Sequence, residues 1–181
     1  MVIALAGRRI DAPGAPAPRF PLENAETVRR RLRSLLESRG AAALVSSAAC
    51  GADLLAQSEA GKLGLRRRVI LPFDRERFLE SSVIDRPGDW APLYNQLLDT
   101  VTAAEDLVVL LGGRAEDDQE GYVALIRAIL DEAEALGRSL HQPVTALLVW
   151  DGSAADDQDL TAAFGEEARR RGIPVVEVST L

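Results

Sequence analysis

The sequence is poor in the residues from which covalent or metal-bound scaffolds are built. It contains one cysteine, Cys50, and one histidine, His141. A single cysteine excludes a disulfide within the chain, and one cysteine with one histidine is too few for the usual Cys/His zinc site. The sequence therefore predicts no metal site and a protein suited to a reducing cytoplasm.

Long apolar runs and an excess of positive charge are also missing. No apolar run approaches the ~20 residues that a membrane-spanning helix needs, and residues 1–6 are too short for the core of a signal peptide. The net charge of −7 argues against a surface that coats nucleic acid, because such surfaces are normally basic. We therefore expect a cytoplasmic protein that binds neither membranes nor nucleic acid. This charge does not oppose a small anion held in a local pocket.

The sequence does contain six short apolar runs that alternate with amphipathic stretches. The runs predict strands at 2–6, 43–45, 69–71, 107–111, 144–150 and 174–178. The amphipathic stretches predict helices at 25–38, 52–64, 92–101, 161–171 and after the acidic residues 116–118, whereas residues 74–88 predict a long loop with room for one helical turn. Because each strand is apolar throughout, we expect a mainly parallel sheet of about six strands with helices on both faces. No break in composition divides the chain, so residues 1–181 are expected to form a single three-layer α/β domain.

Residues 41–60 combine a buried strand, a turn of small residues and the start of a helix. Such a junction directs backbone N–H groups and the positive end of a helix dipole at one spot, where an anion can bind. Gly51 can adopt φ values that are closed to other residues, which lets a ligand approach the backbone. The alternative is a tight turn that packs well and binds nothing. The stretch indicates a ligand-binding site without naming the ligand.

Unusual residues recur at five predicted strand ends. In a parallel sheet the ligand lies outside the carboxyl ends of the strands, near the point where the strand order reverses. Gly and Pro also end strands for structural reasons, so the recurrence, and not any single residue, is the functional argument. The candidate ligand-binding residues at these ends are Gly7, Arg8, Asp11, Ser47, Cys50, Gly51, Ala52, Asp53, Pro72, Gly112, Gly113, Trp150, Asp151 and Gly152.

Several candidates have two plausible roles. Arg8 and Arg19 flank the expected anion site and suit bidentate phosphate contacts, although salt bridges with nearby carboxylates explain them equally well. Asp53 suits either a ribose hydroxyl or the N–H groups of its own helix. Trp150 suits stacking on a base or packing in the core, and Asp151 suits a helix cap or an active carboxylate.

Cys50 precedes a predicted helix N-terminus, a position that lowers the pKa of a thiol. The one potential base, His141, leads into the fifth strand and is expected at the opposite end of the sheet. The sequence therefore favours a small buried hydrophobic side chain at Cys50 over a catalytic thiol.

Three short motifs together resemble the SLOG superfamily. Residues 51–53 look like the strand–GxD–helix element of DNA-processing protein A, and residues 148–152 with Thr161 and residues 172–175 look like the closing unit of nucleotide-binding members. Residues 7–11 with 19–21 resemble an uncharacterised bacterial subset that carries Gly-His-Arg, although Arg8 stands here in place of the histidine. The superfamily is a Rossmann-like group that also includes the lonely-guy cytokinin-activating phosphoribohydrolases.

This resemblance implies a Rossmann-like domain that binds a nucleotide or a nucleotide-derived ligand, such as an ADP-ribose derivative, as a sensor in bacterial signalling or defence. It adds Thr161 to the ligand-binding candidates, which also include Arg19, requires no further cofactor and allows a homo-oligomer. Two alternatives are an N-glycosidase that cleaves a nucleoside phosphate and an interaction module with a vestigial pocket.

The hydrolase signature itself is incomplete. It needs a Gly-Thr at a helix start after the Gly-Gly turn, and none follows residues 112–113; Phe164 stands three residues after Thr161, where a glutamate would be expected. Glu120, Asp151 and Glu166 are the remaining candidates for a catalytic carboxylate. The sequence therefore favours ligand binding over hydrolysis.

Overall fold

The computed structural model of the chain describes residues 1–110, 118–154, 156 and 159–181, with the side chains of 118 and 119 outside the description. Its strands are β1 (Val2–Gly7), β2 (Ala43–Ser46), β3 (Arg66–Leu71), β4 (Leu107–Val109), β5 (Val144–Trp150) and β6 (Val175–Ser179). Its helices are α1 (Ala25–Ser38), α2 (Ala52–Lys62), α3 (Arg75–Ser82), α4 (Ala91–Ala103), α5 (Asp118–Leu140) and α6 (Leu160–Arg170), with a 3₁₀ turn at Leu22–Asn24. None of these helices is both long enough and apolar enough to cross a membrane.

The six strands form one parallel sheet in the order β4-β3-β2-β1-β5-β6, which confirms the predicted fold class. Successive residues of a strand face opposite sides of a sheet. Ile3 and Leu5 accordingly pack with α1, α2 and α4 on one face, whereas Val2 and Ala4 pack with α5 and α6 on the other. The result is a three-layer, Rossmann-like arrangement.

The strand order reverses between β1 and β5. The chain proceeds from β1 through β2 and β3 to β4 at one edge, and α5 then carries it back across the sheet to β5, on the other side of β1. Open α/β sheets bind their ligands at such a reversal, outside the carboxyl ends of the strands. The expected ligand position in this fold is therefore at the carboxyl ends of β1 and β5.

Residues 74–88, predicted as a long loop with room for one helical turn, contain the two-turn helix α3, which is longer than that prediction. Asp74 caps this helix by accepting a hydrogen bond from the backbone N–H of Arg77 at 2.9 Å. Phe78 and Ser82, spaced by one helical turn, are its buried residues. A helix this short has too few apolar positions to show a helical period in the sequence. Its only sequence signals are the Asp74 cap and the pair Phe78 and Ser82.

The third strand begins three residues earlier than predicted, at Arg66. Asp106 lies 2.9 Å from the guanidinium of Arg66 and 2.8 Å from that of Arg68. Burial opposes the ionisation of Asp106, but the hydrogen bonds from these two arginines outweigh it and lower its pKa. The apolar run at 69–71 predicted only the part of β3 that is buried on both faces of the sheet.

Candidate functional site

A cavity of about 310 Å³ lies at the carboxyl end of β1, lined by residues of α2 and α3 as well as of α5 and the start of α6. Its volume is at the lower end of the range of roughly 300–1,000 Å³ typical of small-molecule sites. The apolar lining comes mainly from Leu5, Phe78, Leu125, Ile126, Ile129 and Leu160. The polar lining side chains are Arg9, Ser47, Asp53, Ser82, Tyr122 and Thr161. The cavity thus has the position and the character of a ligand site.

Asp53 brings a carboxyl group into this lining from the first turn of α2. Its exposed fraction is 6%. Oδ2 accepts the backbone N–H of Ala49 at 3.4 Å, whereas Oδ1 has no hydrogen-bond partner within the described residues. Burial raises the pKa of Asp53 to about 7, although the Ala49 N–H and the charge of Arg9 act in the opposite direction. The carboxyl group can therefore exchange a proton near neutral pH.

Ser47 is the second lining residue with an open oxygen. It is 4% exposed, and its Oγ has no hydrogen-bond partner in the described part of the chain. The neighbouring Ser46 is satisfied, because its Oγ donates to the Ser47 carbonyl at 2.7 Å and accepts from Gln57 at 2.9 Å. An unpaired buried polar group costs about 1–3 kcal/mol, so each of these two oxygens requires a hydrogen-bond partner, water or ligand, inside the cavity.

Three other polar side chains of the lining, those of Arg9, Ser82 and Tyr122, are already engaged. The hydroxyls of Ser82 and Tyr122 lie 2.8 Å apart. Arg9 donates to both carboxylate oxygens of Asp85, at 2.9 and 2.7 Å, and to the carbonyl of Ser81 at 3.1 Å. These bonds fix the shape of the cavity, and in the described part of the chain Asp53 Oδ1 and Ser47 Oγ remain as buried oxygens without partners.

Gly51 has a structural role at the turn before α2. Its φ is +93°, and a Cβ there would lie 2.8 Å from the carbonyl oxygen of Arg8 and 2.9 Å from the backbone nitrogen of Ile10. The backbone that follows β1 therefore approaches Gly51 closely and requires that it lack a side chain. The N–H of Ala52 donates to the Arg8 carbonyl at 3.1 Å, so part of the helix N-terminus is also occupied.

Gly7 is likewise required by packing. It lines the cavity, but a Cβ at this position would collide with the Cβ of Ala52 and would lie 2.9 Å from the carbonyl oxygen of Val149. The absence of a side chain brings β1, β5 and the start of α2 together at the reversal of strand order.

Arg8 and Arg19 both contact Asp151, as the salt-bridge alternative requires. Arg8 Nε and Arg19 Nη2 each lie 3.1 Å from this carboxylate, and Arg8 Nη1 lies 2.6 Å from Asp159. The carbonyl of Ser153 accepts from both guanidinium groups. Burial opposes ionisation of Asp151, but hydrogen bonds from Ser153 and the two arginines outweigh it and lower its pKa. This cluster is charge-compensated and lies beside the cavity, outside its lining.

Three further candidates belong to the framework around that cluster. Asp11 accepts the backbone N–H groups of Arg19 and Phe20, each at 3.0 Å, and so holds the loop after β1. Trp150 donates through Nε1 to Glu177 at 2.9 Å. Gly152 has a φ of +87° and allows the turn after β5.

The remaining ligand-binding candidates are dispersed. Thr161 lines the cavity and is 5% exposed, whereas Pro72 is buried outside the lining. Gly112 and Gly113 lie outside the described residues. Cys50 is buried, and burial is the main cause that raises the pKa of its thiol to about 11.

The three candidate catalytic carboxylates do not line the cavity. Glu120 and Glu166 are exposed, on α5 and α6 respectively. Asp151 is held by the two arginines described above. Phe164, at the position where a hydrolase glutamate was expected, is fully buried between α6 and the sheet.

Sequence reasoning missed several lining residues. Phe78 and Ser82 belong to α3, the helix that was predicted as loop. Leu125, Ile126 and Ile129 lie on the long amphipathic helix, which was predicted but was assigned only to the core. The cap at Asp74 was a local signal for α3, whereas nothing local distinguishes a cavity wall from a packed core.

Comparison with known proteins finds no family and only distant similarity to solved structures. No family model matches the chain, and no curated protein matches it. Among solved structures, DNA processing protein A from Streptococcus pneumoniae is similar at 14% identity with a TM-score of 0.43, over 97% of this chain and 57% of that one. The molybdenum cofactor binding protein from Rippkaea orientalis is similar at 14% identity with a TM-score of 0.37, over 99% of this chain and 90% of that one. The chain thus spans little more than half the length of the first of these proteins.

Proposed function

We propose that the chain binds a nucleotide or nucleotide-derived small molecule, such as an ADP-ribose derivative, in the cavity at the end of β1. The supporting observation is the pair of buried oxygens without partners, Asp53 Oδ1 and Ser47 Oγ, inside a largely apolar lining. Small-molecule sites are typically apolar with a few converging polar groups. The cavity also lies where a Rossmann-like sheet places its ligand.

Sensing of the ligand is favoured over its hydrolysis. Glu120 and Glu166 are exposed outside the cavity, and Asp151 is neutralised by Arg8 and Arg19. No carboxylate that the hydrolase comparison suggested is therefore placed to attack a ligand in the cavity. A role as a ligand sensor in bacterial signalling or defence accords with the sequence resemblance.

The first test is native mass spectrometry of freshly purified protein, which should reveal a co-purified nucleotide. The second is thermal unfolding against a panel of nucleotides and ADP-ribose derivatives. A ligand at 100 times its Kd adds about 2.7 kcal/mol of apparent stability, or very roughly 5–10 °C in Tm for a domain of this size. We expect at least one compound to produce such a shift.

Two variants locate the binding site. Leu160→Trp places a larger side chain at a half-buried lining position and should abolish the shift. Val123→Trp is the matched control, because Val123 is 40% exposed and lies outside the lining. The proposal would be contradicted if Leu160→Trp kept the ligand-induced rise in Tm. It would also be contradicted if no compound raised the Tm of wild type.

An N-glycosidase is the second candidate function, and one observation favours it. Burial raises the pKa of Asp53 to about 7, in the range that suits a general acid. Prolonged incubation of the protein with the bound nucleotide, followed by chromatography, separates the two functions. Recovery of intact nucleotide supports binding alone. Release of free base that is lost in Asp53→Asn would instead establish hydrolysis.

A further inference from the structure

We infer that the buried part of the ligand presents N–H donors, as an amidine or an amino-substituted heterocycle does, to Asp53 and Ser47 and carries no negative charge there. This inference rests on the proposed cavity site and specifies its chemistry. It also assigns the ligand's phosphate groups to a position outside the cavity.

The first argument is the hydrogen-bonding capacity of the two open oxygens. The ionised form of Asp53 accepts hydrogen bonds but donates none, and an N–H donor or a cation beside it favours that form against the effect of burial. The Ser47 hydroxyl can accept as well as donate. Asp53 Oδ2 already accepts from Ala49, which leaves Oδ1 open, and Ser47 Oγ is open as well. A ligand N–H would restore a hydrogen bond to each buried oxygen, whereas a hydrocarbon would leave both unpaired.

The second argument is the charge of the lining. Asp53 is its one carboxylate, and Arg9 is its one cationic side chain among the described residues. Arg9 is committed to Asp85, to which it donates two hydrogen bonds, at 2.9 and 2.7 Å. A phosphate inside the cavity would therefore face the Asp53 carboxylate in an apolar setting without a free cation, where like-charge repulsion is strong.

The third argument is the contrast between the polar and apolar parts of the lining. Leu125, Ile126 and Ile129 present aliphatic side chains from α5, and Leu5 adds another from β1. Such walls favour the faces of a ring, while Asp53 and Ser47 favour an edge that donates hydrogen bonds. A ring with adjacent N–H groups satisfies both requirements.

The inference is tested with two probes of similar shape and opposite charge, benzamidine and benzoate, on the full chain at up to ~10 mM, because ligands this small bind weakly. Binding is followed through the methyl NMR signals of Ile126 and Ile129, which line the cavity. Benzamidine should shift these signals and bind at least about tenfold more tightly than benzoate, since one hydrogen bond to a charged group corresponds to about that factor.

Variants identify the groups responsible. Asp53→Asn should weaken benzamidine binding at least about tenfold, and Ser47→Ala about threefold or more, because each loses an acceptor. Asp99→Asn is the charge-matched control, because the side chain of Asp99 is 70% exposed on α4. It should bind benzamidine within about twofold of wild type.

Equal binding of the two probes by wild type would overturn the inference, and so would full benzamidine binding by Asp53→Asn. If Asp53→Asn does not fold, the inference is decided by benzamidine binding to Ser47→Ala and by the comparison of benzamidine with benzoate on wild type. Benzamidine binding without any nucleotide binding would support the inference and contradict the proposed function. Nucleotide binding that is unchanged in both Asp53→Asn and Ser47→Ala would support the proposed function and overturn the inference.

Discussion

The guanidinium of Arg8, which follows β1, lies 2.6 Å from the carboxylate of Asp159, the residue that caps α6. Asp159 also accepts the backbone N–H groups of Thr161 and Ala162, each at 3.0 Å. One ion pair therefore joins β1 to the helix start that brings Thr161 into the cavity lining. The arginine that the sequence suggested for phosphate binding instead holds a wall of the cavity in place.

Replacing this arginine should destabilise the protein strongly. Arg8→Ala removes one of the two arginines that contact Asp151 and the arginine that contacts Asp159, and these carboxylate side chains are 8% and 1% exposed. Breaking a buried ion pair from one side costs about 3–5 kcal/mol. Urea unfolding should show this loss, whereas Arg30→Ala on the exposed face of α1 should change stability by less than about 0.5 kcal/mol. Similar effects of the two substitutions would contradict the structural role of Arg8.

Two glycines of positive φ provide a matched test of the turn before α2. Gly51 has a φ of +93°, and a Cβ added to it would lie within 3 Å of backbone atoms, whereas Gly64 has a φ of +70° and open space around it. Gly64→Ala should cost about 1 kcal/mol through φ strain alone. Gly51→Ala should cost at least about 3 kcal/mol, because the backbone of residues 8–10 must also move. Equal losses in urea unfolding would show that the close approach at Gly51 can relax without cost.

The raised pKa of Asp53 makes stability fall as pH rises. Between about pH 4 and 7 the folded state, with a pKa of about 7, holds a proton that the unfolded carboxyl has lost. Unfolding therefore releases a proton in this window. As the pH rises from about 4 to about 7, the free energy of unfolding of wild type should fall by a few kcal/mol relative to that of Asp53→Asn, and above pH ~7 the difference should stay constant. Urea unfolding of both proteins at about pH 5 and about pH 8 measures the difference. A difference that does not change with pH would contradict the buried, proton-binding state of Asp53.

Cys50 should be unreactive in the folded protein. Burial raises the pKa of its thiol to about 11, and His141 lies before β5, at the opposite end of the sheet. Iodoacetamide at about pH 8 should label Cys50 only after unfolding in concentrated urea, because the thiolate is the reactive form. Cys50→Ser should bind the ligand within a few-fold of wild type. Rapid labelling of the native protein would revive a catalytic role for the thiol.

Binding of duplex DNA should be absent or very weak. The net charge of −7 is unfavourable for a polyanion, and several arginines are committed to internal carboxylates, such as Arg66 and Arg68 to Asp106. Fluorescence anisotropy with a labelled duplex at ~150 mM salt checks this expectation. A submicromolar complex would contradict it.

The sequence predicted the type and order of most elements because those signals are local. Each buried strand required a short apolar run, such as residues 144–150, and each long helix required an apolar face of several turns. Asp53 and Ser47, which line the cavity, were also candidates from the sequence, because their position after a predicted strand places them at the carboxyl edge of the sheet. The two-turn helix α3 was missed because Phe78 and Ser82 are too few to form a period.

By itself, then, the sequence determined a parallel α/β sheet and the edge at which its special residues gather. Only the tertiary structure decided which of these residues meet. Arg8 and Asp151 are 143 positions apart, and their contact depends on β1 pairing with β5. The same pairing fixes the reversal of strand order and thus the position of the cavity. Ion pairs and open buried oxygens such as Asp53 Oδ1 arise from packing between distant segments, because burial and the supply of hydrogen-bond partners are properties of the folded chain.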